Sequence, residues 1–496
     1  MTILSLNIEP NHGIVELILS CWENSNKTTS APQNLLPRSS SLLHCAVNWL
    51  FTNGWIRAEC PLQTMRKHEQ PMANNSASPK QGDFYGLFDY WTLRFVRDSA
   101  AILLFIAGPA LQVIYPRWLP IPLLGAILLI LAGHGLTGFR HFPEGLIGKY
   151  WRPTSWNKAA KVAIIFYYAN VCWMAITLLW SPLPLLGAED VGKIAIAPIF
   201  AFLLASELSK TIIVRFSTIF AIGFLITCFV MIFDHLGFTL VHQLRYPKNE
   251  LIDLNRIAVF QTVLFWPLVF LLFQRYRGPS VALLVGFVFI IVLSLTKSEG
   301  AQLAFIVSTA IVVALFLFPP LQNLIWTGAA LLLILIPLAI NPIDELTLEY
   351  RDGLLSESAE HRVLIWKGYV DKIDENPLLG LGARSNRAIG KDAETRVYTE
   401  SQGISGGSLH PHNASIELWI DYGAVGILLI VGAFISTLLA LRNVSKQATM
   451  TATATMTVAF VYSNTGSFMQ SWWLSALTIA AISTIICSIS QEEGRG

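Results

Sequence analysis

From residue 99 to residue 489 the chain is a series of apolar runs separated by short polar joints. The runs fall at 99–116, 119–135, 159–181, 191–208, 212–234, 256–274, 279–296, 301–318, 321–340, 414–441, 449–464 and 471–489. Each is close to the roughly 20 residues that an α-helix needs to cross a bilayer. The pattern predicts an all-α, polytopic integral membrane protein with about twelve transmembrane helices. Two intervals interrupt it. The larger, 341–413, is the longest polar stretch between apolar segments and predicts one large extramembrane loop. The smaller, 234–256, holds Asp234, His235, His242, Arg245, Tyr246, Lys248, Asn255 and Arg256, more polar chemistry than a bare connector requires.

Residues 1–92 do not belong to the series. They are polar, with Ser/Asn/Pro/Gln clusters and two apolar stretches, 14–21 and 42–51, too short to span a bilayer. No basic segment precedes an apolar core with a small-residue cleavage site, so a signal peptide is not expected. The organisation read from the pattern is a cytoplasmic extension over 1–92, poorly ordered or amphipathic, then helices one to nine over 93–340. The loop over 341–413 follows, and helices ten to twelve occupy 414–490.

Charge sets the orientation. Arg140, Lys149, Arg152, Lys158 and Lys161 follow the second run; Lys210 and Arg215, Arg275 and Arg277, and Arg442 and Lys446 follow later even-numbered or C-terminal ones. Short joints on the other side carry less, chiefly Arg117 and Lys193. Lys and Arg concentrate on the cytoplasmic side of membrane proteins, which puts the loop 341–413 outside, in the periplasm of a Gram-negative inner membrane. With 53% apolar and 13% charged residues among 496, the chain is unlike a soluble domain, where about a quarter are charged. A formal net charge of +2 leaves no basic surplus for a nucleic-acid partner. The six cysteines show no CxxC spacing and fit neither a disulfide scaffold nor a zinc site.

The loop holds the chemistry. His410-Pro-His412-Asn413 directly precedes an apolar run, and Asn413 is a good N-cap for a helix beginning at Ala414. His412 then sits at a helix N-terminus facing water, where the dipole disfavours the protonated imidazole and leaves it able to take a proton. An interfacial histidine with no task is the plain alternative. Arg362 and Trp366 stand at i and i+4 on one helical face, suited to a cation–π contact or to interfacial anchoring. Asn376-Pro377 and Gly380-Leu-Gly382 mark a turn after that helix. Arg256 opens the sixth apolar run, where it either reaches headgroups or serves as a phosphate ligand. Glu417 and Asp421, at i and i+4 in the first turns of the tenth run, are acids at membrane depth and should face protein, where either could orient a basic partner. Gly423 and Gly426 suit close helix packing. No spacing suggests a hydrolase triad or a metal site.

Arg362-x-x-x-Trp366, Pro377-Leu-Leu-Gly380-Leu-Gly382 and above all His412-Asn413, nine residues, Gly423-x-x-Gly426 resemble the O-antigen ligase and polymerase superfamily of polytopic membrane glycosyltransferases. The resemblance covers residues 95–490. One departure is Ser298-Glu299-Gly300-Ala301, where relatives often carry arginine in the second place. The resemblance implies transfer of a glycan from undecaprenyl diphosphate to a sugar hydroxyl, with lipid A–core as the acceptor of a ligase and a growing glycan that of a polymerase. It implies no cofactor and no metal. Arg256 and Arg362 would then neutralise the departing diphosphate, and His412 would be general base; Asn413, Trp366, Arg245 and Glu417 complete the expected site as substrate-binding residues. A transporter would also carry about twelve helices, but two-fold hydropathy repeats and paired broken helices are not apparent.

Overall fold

The computed structural model describes residues 81–138, 157–211, 213–238, 254–276, 278–296, 298–349, 357–390, 410–466 and 468–493. All belong to one compact unit, Gln81–Gly496. The architecture is all-helical, with no strand among the described residues.

The first helix, α1 (Gln81–Ile102), continues through a π-helical turn, Leu103–Ala107, into Gly108–Ile114. Then come α2 (Pro120–Leu136), α3 (Lys158–Ile176), α4 (Pro184–Leu208) and α5 (Ile213–Phe233). Next are α6 (Asn255–Tyr276), α7 (Ser280–Leu295), α8 (Glu299–Leu317) and α9 (Leu321–Glu349). The interval expected as a loop contributes α10 (Glu357–Val370) and the short α11 (Ser385–Ile389). The chain closes with α12 (Ala414–Leu441), α13 (Lys446–Ser463) and α14 (Ser471–Glu493).

A helix stands at each of the twelve expected apolar runs, but they are not equivalent. Among the described residues nine helices are long and apolar enough to cross a membrane. Helices α2 and α7, at 17 and 16 residues, are apolar but shorter. At 1.5 Å per residue they reach only about 25 Å, less than the roughly 30 Å of a hydrocarbon core. Helix α13 is rich in threonine, at 449, 451, 453, 455 and 457. Two of its hydroxyls turn back on its own backbone, Thr451 to the carbonyl of Gln447 and Thr457 to that of Thr453, each at 2.8 Å. That satisfies them where water is absent.

Outward faces display large apolar side chains such as Leu128, Phe229, Phe287, Ile306 and Leu338. So much exposed apolar surface suits lipid, not water. At the centre α6 is buried along most of its length, from Ile257 to Leu268. Successive helices alternate in direction, so the bundle has two ends. One gathers Trp180, Asp190, Arg256, His410 and Ser471, at the termini of α3, α4, α6, α12 and α14; contacts there include Lys193 to Ser471 and Ser415 to Asn464. The other gathers Arg97, His134, Glu207, Arg275 and Arg442, tied by contacts such as Arg97 to Glu207 and Arg442 to Asn323.

Candidate functional site

The site is founded on a broken helix. Within α12, Gly423 has φ 61° and ψ −167°, so the helical hydrogen-bond ladder parts there. Backbone groups freed inside a membrane protein need new partners. The segment 377–382 supplies them. Leu381 N–H donates to the carbonyl of Ile420 at 2.7 Å and Gly382 N–H to that of Asp421 at 3.1 Å. In return Ala424 N–H donates to Pro377 at 2.9 Å and Val425 N–H to Leu378 at 3.2 Å. Trp173 of α3 donates its indole N–H to the Tyr422 carbonyl at 2.9 Å, and Trp180 donates to that of Gly380 at 3.2 Å. A Cβ on Gly423 would lie 2.5 Å from the nitrogen of Gly380, and one on Gly380 would lie 2.6 Å from that of Gly423. Both have positive φ, so glycine is required twice over. The glycine turn and the His-Asn…Gly pattern of the sequence are therefore two halves of one joint.

Acids lock the loop onto that joint. Asp421, fully buried, accepts from the backbone N–H of Arg384 and of Asn386, both at 3.0 Å, from the Ser385 hydroxyl at 2.9 Å and from the Asn386 amide at 2.7 Å. Glu417, equally buried, accepts from Phe468 N–H at 3.0 Å and from Asn386 at 3.3 Å. The Arg384 guanidinium donates to Asp190 of α4 and, at 2.9 Å, to the Met469 carbonyl. Burial alone would weaken its charge. The hydrogen bond and charge of Asp190, with Glu417 and Asp421, outweigh that and raise it above its ordinary value. Lys193 reaches Asp190 at 3.4 Å and Ser471 at 2.8 Å. Helices α4, α12 and α14 and the loop are thus pinned around one set of charges.

The histidines stand beside it. Asn413 caps α12, its side chain accepting from Ser415 N–H at 3.0 Å and Ile416 N–H at 3.2 Å. His412, immediately before it, is half-buried with φ 52°. Arg384, with φ 65°, is the only other non-glycine residue of left-handed backbone among those described. Such conformations cost about 1–3 kcal/mol each and persist where the surroundings over-determine them, as at functional sites. The rings of His410 and His412 lie 4.1 Å apart and tilted by 34°. Burial drives the His410 imidazole down to about 3; the charges of His412, Arg387, Arg384 and Arg256 add to it. Arg387 on α11 and Arg256 at the start of α6 are near enough for their charges to bear on His410. The Arg256 guanidinium lies 5.8 Å from the ring centre of Trp472.

The expected residues divide accordingly. His412 and Arg256 converge on the His410 environment. Arg362 is half-buried on α10. Trp366 packs beside Ile340, Ile365 and Ile416, its indole N–H buried without an acceptor among the described residues. Asn413, expected to bind substrate, is buried and spends its side-chain oxygen on the cap. Glu417, placed in the same group, is wholly enclosed and holds the loop; a carboxylate with no exposed surface does not meet a substrate. Arg245 lies outside the described residues. Glu299 opens α8 at the same end of the bundle.

Sequence reasoning passed over Asp190, Arg384, Asn386, Arg387 and Gln470. A signal existed for Asp190, an acid directly before the apolar run 191–208. Arg384 and Arg387 follow the glycine turn directly, but only the fold shows which is consumed by Asp190. Among the described residues no three His, Cys, Asp or Glu form a metal-holding group.

Comparisons with known proteins bear on the same segment. Residues 262–431 match the family model described as O-Antigen ligase, a stretch running from inside α6 past the break at Gly423. A protein of Rickettsia felis named "Putative polysaccharide ligase" is 22% identical over 226 residues, 45% of this chain and 55% of its own. The same description is given to relatives from Rickettsia typhi, 22% identical over 228 residues (45% and 55%), and Rickettsia conorii, 24% over 179 residues (36% and 43%). The chain spans about half the length of the relatives it matches. Family model and relatives agree in pointing to similarity with the O-antigen ligase superfamily, and the matched stretch from 262 to 431 contains the broken helix and the His412-Asn413 cap.

Proposed function

We propose that the protein transfers a glycan from undecaprenyl diphosphate to a sugar hydroxyl of lipid A–core, at the outer face of the inner membrane and without a metal. The observation that carries this reading is the paired rings of His410 and His412, linked through Gln470 and Trp472 to Arg256 at one end of the bundle. That end is also the one with fewer basic residues in its short joints, as expected of the periplasmic side.

The chemistry asks for two things. A sugar hydroxyl must lose its proton as it attacks, and a diphosphate must leave with the bonding electron pair. His412 takes the proton. The new bond forms at the anomeric carbon as its bond to the phosphate oxygen breaks, so the configuration inverts. Guanidinium groups hold phosphate oxygens bidentately and disperse the charge that builds on them. Arg256 is placed to do so, and Arg362 joins it if α10 approaches when the donor binds.

Turnover of lipid-diphosphate-linked glycan in membranes tests the reading. His412→Ala and Arg256→Ala should each abolish most of it at normal protein levels. Wild-type turnover by either removes the assignment. A deletion strain separates ligase from polymerase: unligated lipid-linked polymer marks a ligase, single-repeat glycans a polymerase acting on the same donor.

A further inference from the structure

A continuous set of side chains runs behind His412. Trp472 donates its indole N–H to Oε1 of Gln470, and Nε2 of Gln470 lies 3.5 Å from Nε2 of His410. His410 in turn lies against His412, ring centres 4.1 Å apart and tilted by 34°. On its other side Trp472 carries Arg256, 5.8 Å from the ring centre. We propose that His410, held by Gln470, is a positioning residue for His412, and that Gln470 and Trp472 tie the histidine pair to Arg256. This rests on the glycosyl-transfer reading above.

The hydrogen-bond directions follow from the donor inventory. An indole nitrogen only donates, so the Gln470 oxygen faces Trp472 and its amide N–H groups face His410. The His410 Nε2 is therefore an acceptor and its proton sits on Nδ1, a tautomer assigned from the bonding pattern. The charges of Arg387, Arg384 and Arg256, and that of His412 once it is protonated, all act against a proton on this ring. His410 accordingly stays neutral and does not compete with its neighbour for the acceptor's proton.

Neutrality has a use. When His412 takes that proton it becomes a cation beside a flat neutral ring, whose face attracts positive charge. A charged His410 would repel it at the same moment. The stack also holds His412 in its left-handed conformation between Pro411 and the cap, with the ring turned one way. Throughout the transfer His410 exchanges no proton: the acceptor hydrogen goes to His412 and the electron pair leaves with the diphosphate.

The test uses the full chain in lipid nanodiscs, checked for unchanged size-exclusion profile. Histidine-selective nitrogen NMR should show one ring that remains neutral with its proton on Nδ1 between about pH 5 and 8, the window in which an ordinary histidine titrates. The signal should vanish in H410F, and in Q470L the ring should populate both tautomers. Turnover by H410F and by Q470L should each fall about tenfold in kcat with KM within about threefold, and the double variant should be no worse than the weaker single one, as for residues acting as a unit. A His410 that protonates near pH 6, or that carries its proton on Nε2, overturns the proposal whatever the substrate. So do effects that multiply in the double variant. Absence of turnover by the wild type alongside the expected tautomer removes the transfer reading and supports the positioning set.

Discussion

Helix α4 carries a buried carboxylate near each end, about 25 Å apart at 1.5 Å per residue, and the two are treated differently. Glu207 accepts from the Arg97 guanidinium at 2.9 and 3.0 Å and from Lys210 at 2.7 Å, with His134 Nε2 at 3.3 Å. One acid is surrounded by basic groups from α1, α2 and the turn after its own helix, and the knot is closed. At the opposite end Asp190, Glu417 and Asp421 meet Arg384 and Lys193, and N–H and O–H groups satisfy much of the rest. Arg256 and Arg387 stand beside them with two imidazoles. The first knot uses its cations to hold helices together. The second uses one arginine for that purpose and leaves others whose charges bear on His410. What separates scaffold from site is which charges are already spoken for.

The comparison breaks if chemistry and stability respond alike at the two ends. His412→Ala should lower kcat by about 10²–10⁴-fold, the usual weight of a general base, while leaving the unfolding midpoint in detergent unchanged. Arg384→Leu strands Asp190 in the interior and should cost about 3–5 kcal/mol, seen as loss of folded protein with activity falling in proportion or further. Glu207→Gln keeps the shape but weakens charge-assisted bonds. It should cost about 1–3 kcal/mol by thermal denaturation, with kcat per folded molecule equal to wild type. A kcat loss there would show that both ends serve the reaction.

Acid supplies a finer contrast. The folded protein holds His410 well below the ordinary histidine value, so folding favours its neutral form. That contribution is complete above about pH 6.5, where the unfolded ring is also neutral, and is lost as pH falls toward about 3. Wild type should therefore lose more of its unfolding midpoint between about pH 7 and 5 than H410F does. The smallest expected effect is none: saturating chelator should leave turnover in washed membranes unchanged, and a loss restored by a divalent cation would contradict an arginine-based diphosphate site.

Much of this was legible because it is local. Apolar runs of membrane length announce helices whatever they pack against, and Asn413 before an apolar stretch announces a cap. The alternating threonines of α13 did not hide a helix, since Thr451 and Thr457 are satisfied one turn back and Thr449 and Thr455 by groups of α12 and α14. The polar knots were not legible, because their meaning depends on distant partners. Arg384 is structural only because Asp190, far upstream, lies against it. Glu417 and Asp421 were expected to orient a basic partner. Their charges do act on Arg384, but Asp421 also gathers four backbone and side-chain groups of the segment 384–386, and Glu417 braces Asn386 and Phe468. Gly423 was expected to ease helix packing, yet it ends one helical segment and begins another, a distinction that rests on a single pair of dihedral angles.

The parting of α12 also bears on how the chain is made. The groups that close it, from Trp173, Pro377, Leu378, Leu381 and Gly382, all precede it in the chain. A ribosome releases them before Gly423 emerges. When that helix enters the bilayer its seal has already been synthesised, so the membrane need never hold an open backbone while waiting for a later segment.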